Sequence, residues 1–153
     1  MTIDMEKNPD TQARRKFEVT GKHLFGNLYG IDENLLKDSQ RLEAIVNKAV
    51  EIGKMTLVSI NTWDYGDGNG VSVVAIIKES HIALHTWPEG NYATLDVYTC
   101  GSNADPYGAF DYILKELKPE KYEKSFADRS YNDFFVGQSA ESSPRDAMKV
   151  LKR

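Results

Sequence analysis

Residues 92–100, Tyr-Ala-Thr-Leu-Asp-Val-Tyr-Thr-Cys, alternate in polarity without a break. A period of two sustained over that length is a strand with one face buried. Ala93, Leu95 and Val97 form the apolar face, which needs a layer of helix over it, while Tyr92, Thr94, Asp96, Tyr98 and Cys100 form the other. The second face carries the cysteine and is where a site is expected. The segments around it supply the rest of a layered fold. Phe17 to Tyr29 reads as a first strand broken by glycines. Asp38-Ser39 precede a helix in which Leu42, Ile45, Val46, Ala49 and Val50 recur three and four apart up to Gly53. Met55 to Ile60 is a short strand, Tyr65 to Gly70 a glycine-rich loop, and Val71 to Ile77 and Ile82 to Trp87 two further strands. Asp105-Pro106 caps and opens a helix with a stripe of Ala109, Phe110, Ile113, Leu114 and Leu117, and Tyr122 to Ala127 returns as a last strand. The fold class expected is α/β, of the α+β two-layer sandwich kind: an antiparallel sheet covered on one face by helices. Residues 1–15 are polar and expected to be mobile, 16–130 make one domain, and 131–153 form a polar tail apart from Phe134-Phe135-Val136.

The chemistry concentrates between the third and fourth strands in chain order, Val71 to Ile77 and Ile82 to Trp87. Glu79-Ser80-His81-Ile82-Ala83-Leu84-His85-Thr86-Trp87, followed by Pro88-Glu89, sets a Glu-Ser bond beside two of the three histidines, and Cys100 follows in Thr99-Cys100-Gly101. A serine hydroxyl can attack the carbonyl before it, turning the amide into an ester, if the backbone is strained and a donor steadies the oxyanion. A base that then removes the Ser80 α-proton expels the ester by β-elimination, and the dehydroalanine hydrolyses to a pyruvoyl group. His85 is the candidate base, since neutral imidazole suits proton abstraction near neutral pH. On a regular strand Ser80 and His85 point to opposite faces, so a turn or bulge between them is expected, with strain at the scissile bond.

The run Gly70-Val71-Ser72, then Glu79-Ser80-His81-Ile82, His85-Thr86-Trp87-Pro88-Glu89 and Ala93-Thr94-Leu95-Asp96-Val97-Tyr98-Thr99-Cys100-Gly101 resembles the prokaryotic S-adenosylmethionine decarboxylase proenzymes. The resemblance runs from Gly21-Lys22-His23 to Asp128-Arg129-Ser130, and Ser142-Ser143-Pro144 is similar to some members. It implies self-cleavage between Glu79 and Ser80 into a β chain, 1–79, and an α chain, 80–153. It implies that Ser80 becomes the covalent pyruvoyl cofactor that takes the substrate amine as a Schiff base, in place of pyridoxal phosphate or a metal. Ser72 would assist processing, His85 serve as processing base, Cys100 protonate the α-carbon and Glu89 hold ribose hydroxyls. Trp63 and Tyr65 are both candidates for stacking on adenine. Where many bacterial members carry an acidic residue this chain has Asn27, and that pattern, with the longer glycine loop, is also similar to an archaeal branch that decarboxylates arginine. The substrates implied are therefore S-adenosylmethionine first, for polyamine (spermidine) synthesis, and arginine, giving agmatine, second. A catalytically silent paralogue that activates a working partner is the rival from another class. The resemblance also implies self-association, as a dimer of processed αβ pairs.

Taken singly, each of these residues has a plainer reading: a small buried cysteine, a structural histidine, a hydrogen-bonded strand serine, a solvated glutamate. Their joint order outweighs those readings. His23 and His81 are taken as structural. His81, His85 and Glu89 fall four apart, a helical metal-ligand spacing, but β-type flanks and Pro88 argue against a helix there. Gly66, Gly68 and Gly70 lack the lysine-serine pair of a phosphate loop. With 41% hydrophobic and 27% charged residues and a net charge of −4, the chain reads as a soluble globular domain with no nucleic-acid footprint and no membrane span. The start lacks the apolar run of a signal peptide, and a single cysteine fits the reducing cytoplasm.

Overall fold

The computed structural model describes residues 17–132 and the strand Met148–Leu151. In chain order the elements are β1 (Glu18–Val19), β2 (Gly21–Tyr29), α1 (Glu33–Lys37), α2 (Ser39–Ile52), β3 (Leu57–Asp64), β4 (Val71–Ile77), β5 (Ser80–Trp87), a 3-10 turn (Pro88–Gly90), β6 (Tyr92–Cys100), α3 (Pro106–Leu117), β7 (Lys121–Asp128), β8 (Tyr131–Asn132) and β9 (Met148–Leu151). Seven strands form one sheet in the order β3-β4-β5-β6-β2-β7-β9, antiparallel at every step. β1 and β8 make a separate two-stranded pair.

The alternation of β6 decides which side is covered. Ala93, Leu95 and Val97 are fully buried, as are Leu24 and Leu28 of β2, Val73 and Ala75 of β4, and Ile82 and Leu84 of β5. Onto them pack Leu42, Val46 and Ala49 of α2 and Phe110 and Ile113 of α3. Each fully buried side chain of this size contributes about 1.5–3 kcal/mol. The helices start where aspartates accept free backbone N–H groups: Asp38 from Arg41 at 2.9 Å and Asp105 from Gly108 at 3.0 Å. The opposite face of the sheet carries no helix among the described residues, and it leaves Ile76 42% and Trp63 67% exposed.

Several boundaries differ from the sequence expectation, each for a local reason. The third strand begins at Leu57 because Lys54, at φ 54°, and the Met55 N–H on the Val50 carbonyl close the end of α2. It then runs to Asp64, since Thr62, Trp63 and Asp64 continue the ladder opposite Val73, Ser72 and Val71 whatever their polarity. The first strand divides before Gly21, whose N–H goes to Ser130 Oγ at 3.1 Å. Within 131–153, read as a polar tail, Tyr131–Asn132 pairs with β1 and Met148–Leu151 adds a strand to β7. The expected mobility of 1–15 lies outside the described residues.

Two contacts fix the loop that precedes β4. Thr86, buried in β5, accepts the Val71 N–H at 2.9 Å and donates to the Leu36 carbonyl at 2.8 Å, tying α1 to the sheet. At Gly70 a Cβ would sit 1.9 Å from the Thr86 carbonyl oxygen. Only glycine allows that approach.

Candidate active site

β4 and β5 are joined by the two-residue turn Lys78-Glu79, with Ile77 paired to Ser80. Ser80 has φ 155°, in a region that belongs to glycine and costs a residue with a side chain about 1–3 kcal/mol. The carbonyl oxygen of Glu79, the one a Ser80 hydroxyl would attack across, accepts the Cys100 N–H at 2.7 Å. A main-chain donor is thus already on the oxygen that would carry the developing charge. The Glu79 carboxylate is held by Thr56, through its N–H at 3.0 Å and its hydroxyl at 3.3 Å, and the Lys78 N–H returns to the Thr56 carbonyl at 2.9 Å. Thr56 therefore clamps both residues of the turn. Nothing in the sequence marks it, because the contact spans 23 positions and joins a segment end to a turn.

At the other end of β5 lies a cavity of about 360 Å³, open to solvent and lined by Tyr65, Asn69 and Gly70 of the glycine loop, Ser72, then His85, Thr86, Trp87 and Glu89. Ser72 and His85 are cross-strand partners, and Ser72 Oγ lies 2.7 Å from His85 Nδ1. The Tyr65 hydroxyl continues the chain, 3.3 Å from Ser72 Oγ. Pro88–Gly90 turns the backbone so that Glu89 reaches the rim. Of the two stacking candidates, Tyr65 lines the cavity, whereas Trp63 stands outside its lining. Trp87 is an aromatic wall that sequence reasoning passed over, although it sits inside the informative motif. The cavity could hold a small organic molecule with hydroxyl or cationic groups directed at Glu89.

The structure corrects one expectation about how these groups meet. No turn or bulge separates Ser80 from His85; the register is unbroken with β4 from Ser80 to His85 and with β6 from Ser80 to Trp87. The irregularity is at Ser80 itself. Five residues of regular strand put the two some 16 Å apart, at roughly 3.3 Å per residue, so within one chain His85 does not reach Ser80. The site residues thus fall into two groups: Glu79, Ser80 and the Cys100 backbone at one end, and Ser72, His85, Glu89 and Tyr65 at the other.

The remaining histidines are structural partners on the open face. His23 Nε2 lies 2.8 Å from Asp96 Oδ1, and the His81 ring meets Tyr98 edge-on at 5.7 Å. Burial pushes the His81 imidazole pKa down, with the charges of His23 and Arg129 adding to the shift and Asp96 opposing it. Because Ser80–Trp87 is a strand, His81 and His85 stand about 13 Å apart and their four-residue spacing does not converge on a metal. Asn27 donates to Glu123 at 3.3 Å and accepts from the Tyr92 hydroxyl at 2.9 Å. It stands in the same cross-strand row as Ser72, His85 and Thr94.

Sheet, strained turn and pocket together make a small α+β domain with a candidate site at each end of β5, and comparison with known proteins assigns its family. Residues 22–130 match the family model described as S-adenosylmethionine decarboxylase, and the chain belongs to that family of pyruvoyl-dependent decarboxylase proenzymes. It is 50% identical over 129 residues to the arginine decarboxylase proenzyme of Pyrobaculum arsenaticum, a match covering 83% of this chain and 96% of that one. The crystal structure of the adenosylmethionine decarboxylase from Aquifex aeolicus is similar in fold, with a TM-score of 0.68 and 33% identity over 72% of this chain and 91% of the other.

Proposed function

We propose that the chain cuts itself between Glu79 and Ser80, and that the pyruvoyl group so formed decarboxylates arginine to agmatine. One observation carries the reaction: Ser80 sits at φ 155° next to a carbonyl whose oxygen already accepts the Cys100 N–H at 2.7 Å. The Ser80 hydroxyl attacks the Glu79 carbonyl, and Cys100 steadies the oxyanion through its backbone. When formed, the pyruvoyl group supplies an electron sink for the carbanion left by carbon dioxide. Around it Cys100 returns the proton at the α-carbon, and the Glu89 and Tyr65 of a second copy hold the distal part of the substrate.

The 16 Å gap between Ser80 and His85 supports a second element of this reading. Two copies pair through their open sheet faces, so that Ser72 and His85 of the partner subunit complete the site at Ser80. The uncovered face favours this, with Ile76 and Trp63 exposed beside polar groups.

Sequence alone favours S-adenosylmethionine; the relative at 50% identity and the position of Asn27 in the row of the pocket residues reverse that order. S-adenosylmethionine remains the second reading, supported by the aromatic wall of Trp87 and Tyr65 in an open cavity of about 360 Å³. The test has two stages. Intact mass under denaturing conditions should show fragments ending at Glu79 and beginning at a pyruvoyl-blocked position 80. The processed protein should then release carbon dioxide from arginine; release from S-adenosylmethionine alone exchanges the two substrates, and an undivided chain removes the mechanism. Cytoplasmic location goes with this reading, and no helix among the described residues is long and apolar enough to cross a membrane.

A further inference from the structure

Directly across from Ser80 on β6 stands Thr99. It is 1% exposed, and its Oγ1 is buried without a hydrogen-bond partner among the described residues. Thr86, also buried, shows the ordinary alternative: its hydroxyl is bonded to Val71 and Leu36. A buried hydroxyl left unpaired destabilises the fold, and such a group asks for an explanation. The same face of β6 uses Ala93, Leu95 and Val97, so valine at 99 would fill the space and remove the penalty.

The register supplies that explanation. Ser80 lies between Ile77 on β4 and Thr99 on β6, and directly opposed residues share a face with their Cβ atoms about 4.5–5.5 Å apart. A rotation about the two side-chain bonds brings the hydroxyls together at that separation, whereas Ile77 offers Ser80 nothing polar. We propose that Thr99 is a positioning residue for self-cleavage: its buried hydroxyl holds Ser80 Oγ for attack on the Glu79 carbonyl. This rests on the reading that the chain is cut between Glu79 and Ser80. In the step itself the bond from Ser80 Oγ to the Glu79 carbonyl carbon forms and the carbon–nitrogen bond breaks. The hydroxyl proton ends on the Ser80 nitrogen. Thr99 accepts the Ser80 O–H as a hydrogen bond before attack and neither gains nor loses a proton overall. The Cys100 N–H and the Thr99 hydroxyl, neighbours in sequence, thus serve the two reacting partners separately, one on the carbonyl oxygen and one on the nucleophile.

The experiment compares full-length precursor with its Thr99→Val and Thr99→Ser variants, following division by intact mass against time, with and without hydroxylamine, and recording thermal midpoints. Thr99→Val should be at least as stable as the native precursor yet divide about tenfold more slowly, the loss of one transition-state hydrogen bond. Hydroxylamine opens an ester once formed, so it should not recover that rate, and Thr99→Ser should divide at the native rate. A valine variant that divides as fast as the native chain overturns the proposal, as does one rescued by hydroxylamine, which would move the defect to elimination. If valine lowers the midpoint, the serine variant decides: native rate upholds the hydroxyl's role and a slow rate overturns it. A native chain that never divides at this bond removes the parent reading, an outcome distinct from a native chain and a valine variant that divide equally fast.

Discussion

At the Ser80 end of β5 the positioning is done by backbone: a serine at φ 155°, a main-chain N–H from Cys100 on the Glu79 carbonyl, and Thr56 holding the turn from a third segment. At the His85 end it is done by side chains around an open cavity, with Tyr65, Ser72 and His85 in a hydrogen-bonded series. The first arrangement is rigid and suited to a reaction that happens once. The second is open to solvent and suited to a ligand that comes and goes. One strand connects them, and the regularity of that strand keeps them apart.

The sharpest way to break this contrast is Ser80→Ala. That variant should remain a single full-length chain with no decarboxylase activity, and an intact-mass spectrum showing two fragments would end the assignment of the first region. Mixing tests whether the two regions cooperate across copies. His85→Ala and Ser80→Ala should each stay uncut alone. On co-expression roughly half of the His85→Ala chains should divide, the fraction that random pairing with a Ser80→Ala partner allows; no division at all would confine each site to one chain. Cys100→Ala separates the regions by step. Its backbone N–H is kept, so division should continue, while turnover falls on the order of a hundredfold for loss of a positioned proton donor; undiminished turnover would relieve Cys100 of that role. The smallest effect concerns His81, on the open face and next to Ser80 in sequence. Its folded-state pKa is lowered below the ordinary 6.5, so the unfolded chain binds the proton more readily. Stability should therefore be full above about pH 6.5 and decline as the pH falls below it. Unfolding curves of His81→Gln should have a flatter acid limb, with division unchanged; an identical acid limb would assign that decline to other groups.

Much of this was legible in the residues. The β6 alternation marked the buried side, the aspartate caps marked α2 and α3, and the order of Glu79, Ser80, His85 and Cys100 marked the family, because these signals are local or carried by residue type. What escaped depends on distance in the chain. The Thr56 clamp joins positions 56 and 79, and the unpaired hydroxyl of Thr99 is known only once its neighbours are in place. Side-chain parity places Ser80 and His85 on opposite faces, and the irregularity expected between them is absent because the strand runs regularly from Ser80 to Trp87. The five-residue α1 and the four-residue β9 lacked the length for a periodic signal.

The strand order has a consequence for how such a protein can be made. A cut at Glu79–Ser80 would leave β2, β3 and β4 on one fragment and β5, β6, β7 and β9 on the other, while the sheet interleaves them, with β2 seated between β6 and β7. Neither fragment could leave without tearing three ladders of this sheet and the β1–β8 pair, so the cut enzyme would hold together as firmly as its precursor. Once fully denatured, however, it would face a bimolecular search in place of a hairpin closing on itself, and its return would depend on concentration. Its durability would then be a matter of unfolding rate, and the intact precursor would be the form from which it is built.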